Sequence, residues 1–85
     1  MKIAVSAIET EMKRLKRKDP VLFTALQKKI SQIASLNVET IKHFKNLRAP
    51  MNDYKRVHVG SFVLMFKVQG DTIIFGKFVH HDKAY

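Results

Sequence analysis

The sequence predicts an α+β domain in which an N-terminal helical hairpin packs on one face of a small, mostly antiparallel sheet. Two observations predict this class. Apolar residues recur at helical spacing through the N-terminal part of the chain, and from residue 54 the pattern changes to the alternation of strands. The chain has 85 residues, of which 46% are hydrophobic. We therefore expect a single domain over residues 1–85, with one modest core and no disordered character.

The first elements are predicted from capping signals and from the spacing of apolar residues. Residues 3–5 fit a short strand, and Ser6 has the position of a helix N-cap with Glu9 as its capping-box partner. The apolar residues that follow share one helical face: Ile8, Met12 and Leu15. We expect this first helix to end at Arg17-Lys18, because positive charge suits a helix C-terminus.

The second helix has the clearest start signal, with Asp19 as N-cap and Pro20 in the first helical position. Its apolar stripe consists of Leu22, Leu26, Ile30 and Ile33. The helix is predicted to continue to about Leu36, and the tight link between the two helices predicts an antiparallel hairpin. Residues 37–52 are less regular, and they fit a short helical turn followed by a loop that contains Pro50.

Three strands are predicted after residue 54. Gly60 allows a turn after the first strand, and Gly70-Asp71 is a two-residue hairpin signal between the second strand, residues 62–68, and the third, residues 72–79. The third strand is apolar on both faces, which is typical of a central or covered strand. We expect the helical hairpin to cover one face of the sheet and the other face to be open and basic.

Charge and composition restrict the class of partner. The chain has 16 Lys and Arg against 7 Asp and Glu, a net charge of +9, which favours polyanions such as nucleic acid or an acidic protein. The alternative is a basic domain whose lysines are merely solvated. The chain has no cysteine, which excludes disulfides and thiolate metal sites. No apolar run approaches the ~20 residues of a membrane span, so we expect a soluble cytoplasmic protein without membrane contact.

Arg56 and His58 are the first candidate functional residues. They are two positions apart on a predicted strand, so their side chains lie roughly 7 Å apart on one face. This spacing fits a phosphate clamp beside a group that titrates near neutrality. The alternative is an ordinary polar sheet face. The Lys and Arg clusters of the helices are typical of solubilising surfaces, and they could also contact an RNA backbone away from the chemistry.

The segment His80-His81-Asp82 is the most concentrated signal of a site. A histidine can act as a general acid or base, and Asp82 could orient it. A structural histidine and a metal ligand are the alternatives. Adjacent histidines on a strand point to opposite faces, however, and cannot both ligate one ion without a bend. A structural zinc site needs four ligands, and the only other histidines are His43 and His58. We therefore expect no metal and no cofactor.

Tyr85, the last residue, fits a side chain that stacks on a nucleobase. The alternatives are that it packs back onto the sheet or that a native chain continues past it. The sequence has no Gly-rich phosphate loop, no nucleophilic Ser or Cys constellation and no paired-carboxylate site. Hydrolysis by two carboxylates or by a metal cage is therefore not expected.

The order of these motifs resembles the RelE/ParE toxin superfamily, in particular the RelE-like toxins. The resemblance covers essentially the whole chain. Its parts are the short strand, the helical hairpin, the segment Lys45-Asn46-Leu47-Arg48-Ala49-Pro50, the strand Tyr-x-Arg-Val-x-Val-Gly, the Gly-Asp hairpin and a closing His-x-Asp-x-x-Tyr segment. It implies a RelE-like fold with a core like that of microbial ribonucleases, and the toxin of a type II toxin–antitoxin system.

The activity that the resemblance implies is ribosome-dependent cleavage of mRNA in the A site, by attack of the RNA's own 2′-hydroxyl and without a metal. The implied partners are the ribosome with its mRNA and an acidic, RelB-like antitoxin. The free toxin is expected to be a monomer that forms a hetero-oligomer with the antitoxin. The catalytic positions implied are Arg56, His58, His80, His81 and Tyr85. The RNA contacts implied are Lys45, Arg48, Lys55, Lys77 and Lys83.

One position departs from the family pattern. Family members usually carry an arginine just after the Gly-x-aromatic turn, and here Gly60-Ser61-Phe62 is followed by Val63. Loss of one such electrostatic donor can cost about 10²–10³ in rate. Two alternative functions therefore stay open, a catalytically weak or inactive module that binds an antitoxin or RNA, and a ParE-like inhibitor of DNA gyrase.

Overall fold

The structure is a computed structural model that describes residues 2–36 and 54–83. The helices are α1 (Glu9–Lys18) and α2 (Pro20–Ala34), and the strands are β1 (Lys2–Ala4), β2 (Lys55–Val59), β3 (Phe62–Gln69) and β4 (Thr72–His80). Short 3₁₀ turns cover Ser6–Ile8 and His81–Lys83. Two N-terminal helices packed on a small sheet confirm the predicted α+β class. The helical turn and the Pro50 loop predicted for residues 37–52 lie outside the described residues.

The start of α2 confirms its predicted cap. The backbone N–H of Leu22 donates to Asp19 Oδ1 over 3.1 Å, and Pro20 occupies the first helical position. This side chain satisfies one of the backbone donors that every helix start leaves without an intrahelical partner. The helix ends at Ala34, slightly before the predicted end at Leu36.

The predicted capping box at the start of α1 is wrong. Ser6 lies in a 3₁₀ turn, and α1 begins at Glu9 without a side-chain hydrogen bond at its N-cap, Ile8. Within the turn, the N–H of Ile8 donates to the carbonyl of Val5 over 3.0 Å. The tighter turn thereby satisfies a backbone donor locally and brings the side chain of Ile8 into the core, where it is 1% exposed.

The sheet has the order β1-β4-β3-β2, with β1 parallel to β4 and the other two pairs antiparallel. Both predicted turns are confirmed. Gly60 and Gly70 have φ angles of 60° and 63°, in the left-handed region that a Cβ disfavours. Two-residue loops starting with these glycines join β2 to β3 and β3 to β4, which places the three strands side by side.

The hydrophobic core lies between the two helices and one face of the sheet. Its buried members are Ile8, Leu15, Leu26, Ile30, Ile33, Val59, Leu64, Phe66, Ile73, Phe75 and Phe78. Both predicted helical stripes face this cluster, with Met12 and Leu22 partly buried at its margin. The helices therefore cover the centre of one face of the sheet. Side chains that could contact a ligand must lie at the ends of the sheet or on its second face.

Strand β4 contains one residue more than its partner. Phe66 pairs with Phe75, but Met65 pairs with Lys77, so Gly76 is the extra residue of a β-bulge. A single extra residue shifts the alternation of side chains, because the side-chain period along a strand is two. Residues of β4 after the bulge therefore face the side opposite to the one that uninterrupted alternation would give them.

Gly76 also makes room for an aromatic ring from the neighbourhood of β2. A Cβ on Gly76 would lie 2.6 Å from Cε1 of Tyr54, which is closer than two such carbon atoms can approach. The ammonium of Lys67 lies 5.1 Å from the centroid of the same ring. Tyr54 thus reaches across β3 to the bulge of β4 and is held there by packing and by a cation–π contact.

The sheet face away from the helices is apolar and buried at its centre, which corrects the prediction of an open face. Val63 and Met65 belong to this face by strand alternation, and they are 0% and 2% exposed. Val63 lies between His58 of β2 and Val79 of β4 in the strand register. The polar and charged groups of this face are therefore confined to its margins.

Candidate active site

Arg56 and His58 lie on the face of β2 that points away from the helices. The strand register pairs Arg56 with Met65 and His58 with Val63, neither of which belongs to the helix-side core. His58 is exposed and Arg56 is partly exposed. The predicted arrangement of a cation and an imidazole on one face of this strand is therefore present.

His81 joins His58 from the turn that follows β4, at the same end of the sheet. The centroids of the two imidazole rings are 5.8 Å apart and the ring planes differ by 36°. The backbone of His81 is anchored to the β2–β3 turn, since its N–H donates to the carbonyl of Ser61 over 2.9 Å. Both side chains are exposed, and the structure thus places two imidazoles where one ligand can contact both.

His80 is separated from this pair although it precedes His81 in the chain. It pairs with Phe62 across β3, and its ring meets the Phe62 ring edge-on with centroids 5.4 Å apart. This is the helix side of the sheet. The bulge at Gly76 decides which histidine lies on which side, because uninterrupted alternation along β4 would exchange the two faces. The structure therefore brings His81, and not His80, to His58.

Asp82 lies between the two C-terminal histidines. Its Oδ1 is 3.7 Å from Nδ1 of His81 and its Oδ2 is 3.6 Å from Nδ1 of His80. The carboxylate can therefore orient the ring of His81, whereas Nδ1 of His80 accepts a hydrogen bond from the backbone N–H of Asp82 over 3.3 Å. The carboxylate is 83% exposed, so solvent screens its influence on either ring.

Val63 occupies the centre of the candidate site. It lies directly across from His58 in the register and is fully buried. This is the position where the family pattern leads one to expect an arginine, so the phosphate contact of that residue has no equivalent at Val63. The nearest cations of the same face in the register are Arg56 and Lys77, which pair with Met65 from the two neighbouring strands.

The other predicted site residues do not form one cluster. Lys55 pairs with Phe66 and so lies on the helix side of β2, opposite to Arg56. Lys77 is exposed at the bulge of β4, and Lys83 ends the final 3₁₀ turn. The predicted residues Lys45, Arg48 and Tyr85 lie outside the described residues.

Arg14 is a candidate that sequence reasoning missed. It lies on α1, where Nη2 is 3.0 Å from Oε1 of Glu11, and it lines a pocket beside His80. In the sequence it is one of several basic residues of an amphipathic helix, and only the packing of α1 beside β4 distinguishes it. The spacing of Glu11 and Arg14 predicts an ion pair but says nothing of His80.

Two further findings concern only residues 2–36 and 54–83. No group of three or more His, Asp or Glu side chains in this part of the chain is placed to hold a metal ion. Neither of the helices there is both long enough and apolar enough to cross a membrane.

Two known proteins are similar to this chain over nearly all of its length. A protein of Methanocaldococcus jannaschii with the name "Putative toxin RelE4" is 39% identical over 82 residues, which cover 93% of this chain and 83% of the relative. An uncharacterized protein of Methanosarcina mazei is 31% identical over 83 residues, which cover 94% of this chain and 92% of the relative. No family model and no solved structure matches the chain.

Proposed function

The chain belongs to the RelE toxin family, being 39% identical over 93% of its length to a relative of that name, and we propose that it is the toxin of a toxin–antitoxin pair. We further propose that it is a ribosome-dependent endoribonuclease that cleaves mRNA in the A site. The observation that carries this proposal is the pair of imidazoles of His58 and His81, with Arg56 on the same face of β2.

The proposed reaction needs three kinds of group around one phosphate. The 2′-oxygen of the RNA bonds to the adjacent phosphorus and the bond to the 5′-oxygen breaks, which leaves a 2′,3′-cyclic phosphate and a free 5′-hydroxyl. A base must take the proton of the 2′-hydroxyl, an acid must give a proton to the leaving 5′-oxygen, and a cation must balance the charge on the phosphate. Two neighbouring imidazoles and a guanidinium can supply these three functions.

We assign His58 as the base and Arg56 as the phosphate ligand, because the two lie together on β2. We assign His81 as the acid. The carboxylate of Asp82 lies 3.7 Å from Nδ1 of His81 and can orient its ring for this role. His80 lies on the helix side of the sheet and receives no part in the proton transfers.

The proposed partner in the resting cell is an acidic antitoxin. The toxin carries a net charge of +9, and an acidic chain that covers the face with Arg56 and His58 would both neutralise this charge and exclude RNA. Mutual attraction of opposite charges also gives fast association. The family membership supports the existence of such a partner.

The experiment that tests the proposal is mRNA cleavage on purified ribosomes with a defined message and an empty A site, mapped by primer extension. We expect cuts within A-site codons, absent on free RNA and lost in His81→Ala and Arg56→Gln. Arg17→Gln, which removes the same charge from an exposed position of α1, is the matched control and should cut normally. Intact mRNA in cells that are nevertheless poisoned would direct the search to another target such as DNA gyrase.

The burial of Val63 favours a second candidate function, a non-catalytic module that binds an antitoxin or RNA. A fully buried valine across from His58 removes the electrostatic donor expected there, and such a donor contributes about 10²–10³ in rate. This candidate predicts ribosome or antitoxin binding by folded protein without any cuts. Primer extension together with ribosome co-sedimentation distinguishes the two functions.

A further inference from the structure

A pocket lies on the helix side of the sheet, opposite to the face that carries the pair His58 and His81. This pocket of about 410 Å³ opens between β4 and the start of α1, and His80, Phe62 and Arg14 line it. Beyond Ile74 the outer edge of β4 has no strand partner within the described residues, because β1 pairs only with Thr72–Ile74. The pocket therefore occupies a part of the sheet edge that β1 leaves uncovered.

The pocket combines an aromatic floor with a basic rim. The rings of Phe62 and Phe78 stack with centroids 5.0 Å apart, and the ring of His80 stands edge-on to Phe62. Arg14 supplies the cation of the rim. Lys77 also lines the pocket, but it pairs with Met65 and so belongs by register to the other face of the sheet. Aromatic and imidazole surfaces beside cations are the combination with which proteins hold single-stranded nucleotides, the base on the rings and the phosphate on the cations.

The basic groups of the pocket are held in position. Glu11 contacts Arg14 over 3.0 Å and so fixes the guanidinium, but one carboxylate cannot occupy all five of its N–H donors. The backbone N–H of Asp82 donates to Nδ1 of His80 over 3.3 Å. That nitrogen therefore acts as an acceptor, and the neutral ring carries its proton on Nε2, where it can donate to a base or a phosphate.

The pocket and the histidine pair are neighbours around the end of β4. One carboxylate, that of Asp82, lies within 3.6 Å and 3.7 Å of Nδ1 of His80 and His81, respectively. An RNA bound at His81 therefore lies close enough to the end of β4 for a neighbouring nucleotide to reach His80. The last residue of β4 and the first residue of the turn after it thus serve two sides of the sheet that one flexible ligand can join.

We infer that the pocket between α1 and β4 binds the nucleotide that flanks the scissile phosphate. Its base would rest on Phe62 and His80, and its phosphate would be held by Arg14. The inference rests on the proposed function, since it takes RNA to be the ligand of His58 and His81. A volume of about 410 Å³ is within the range of small-ligand pockets. The ring surfaces favour a nucleotide over an acidic peptide, which needs cations only.

The test is an NMR titration of the ¹⁵N-labelled full chain with a trinucleotide RNA that has a 2′-deoxyribose at the central position, so that it cannot be cut there. We expect the amide signals of Phe62, His80 and Arg14 to shift in the same titration as those of His58 and His81. Uridine 5′-monophosphate, which can fill only one of the two sites, should bind more weakly. Arg14→Gln should weaken trinucleotide binding by about tenfold.

Arg17→Gln is the matched control, because it removes one arginine from the same exposed helix outside the pocket. His80→Gln is a second variant, and both substitutions are exposed enough to leave the fold intact, which the spectrum itself reports. Two results would contradict nucleotide binding in the pocket and leave the proposed function unaffected. One is a set of shifts confined to the surroundings of His58 and His81, and the other is an equal effect of Arg14→Gln and Arg17→Gln. A glutamate-rich peptide that shifts the pocket signals when the trinucleotide does not would identify a protein occupant instead. No shift with any probe would contradict the inference about the pocket, whereas the proposed function, which expects no cutting of free RNA, is decided by the ribosome assay alone.

A second readout uses cleavage on programmed ribosomes. If the pocket holds the flanking nucleotide, His80→Gln should change the ratio of cleavage rates between messages that differ only at that nucleotide. Loss of general activity with an unchanged ratio would mean that His80 acts on the reaction itself or on the fold. The ratio is therefore a measurement that a purely structural role would leave constant.

Discussion

The imidazoles of His58 and His81 face each other with centroids 5.8 Å apart, one from the second strand of the sheet and one from the turn after the fourth. The two residues are far apart in the sequence, so local chain geometry does not bring them together. The pair exists because two short hairpins place β2, β3 and β4 in one register, and because the N–H of His81 is bound to the carbonyl of Ser61. A site assembled in this way should act as a unit.

The first prediction concerns this pair. His58→Ala and His81→Ala should each reduce the rate of ribosome-dependent cleavage by about 10²–10⁴, the usual contribution of general acid–base catalysis. The double variant should be little slower than either single variant, since a base without its acid contributes little. Single-turnover cleavage on programmed ribosomes measures all three rates. Fully multiplicative losses would show that the two rings work independently, contrary to the proposed mechanism.

The second prediction concerns Asp82. Asp82→Asn keeps the shape of the side chain and removes the charge beside Nδ1 of His81. Because the carboxylate is 83% exposed, we expect only a small loss, of no more than about tenfold in cleavage rate. In the His81→Ala background the same substitution should have no effect on cleavage. An equal effect in both backgrounds would mean that Asp82 acts on something other than His81.

The third prediction concerns the contact between Gly76 and Tyr54. A Cβ at residue 76 would lie 2.6 Å from Cε1 of Tyr54, so Gly76→Ala should displace the ring and lower the free energy of unfolding by about 1–3 kcal/mol. Urea denaturation measures this loss. In a Tyr54→Ala background the clash is absent, and Gly76→Ala should cost clearly less.

Gly70→Ala is the comparison for that measurement. Apart from its chain neighbours, no atom of the described residues would lie within 4 Å of a Cβ at Gly70, so the strain comes from its φ of 63°. We expect a loss of about 1 kcal/mol from the left-handed backbone, with no dependence on Tyr54. Equal dependence of both glycine variants on Tyr54 would refute the steric explanation.

The fourth prediction compares the two helix starts. Asp19→Ala removes the acceptor of the Leu22 N–H and should lower the free energy of unfolding by about 0.5–2 kcal/mol. Ser6→Ala should change it by less than about 0.5 kcal/mol, because Ser6 lies in a 3₁₀ turn and caps neither that turn nor α1. Thermal or urea unfolding of the two variants side by side is sufficient. A larger loss at Ser6 than at Asp19 would contradict the structure of both helix starts.

Local signals predicted most of the fold. Asp19-Pro20 marked the start of α2, Gly60 and Gly70 marked the two turns, and strand alternation placed Arg56 with His58. These features depend on residues close together in the chain, where propensity and spacing decide the structure. The capping box predicted at Ser6 was wrong for a reason that lies outside the local sequence. A 3₁₀ turn at this place brings Ile8 into the core, and tertiary packing favours that turn.

The sequence by itself determined that this protein has two helices before a meander of strands, a strongly basic surface, and imidazoles near the ends of its sheet. Only the tertiary structure decided which imidazoles meet. The extra residue at Gly76 shifts the alternation of β4, and so sends His81 to His58 and His80 to the pocket beside Arg14. The physical reason is the two-residue period of a strand, in which one inserted residue reverses the side on which every later side chain lies.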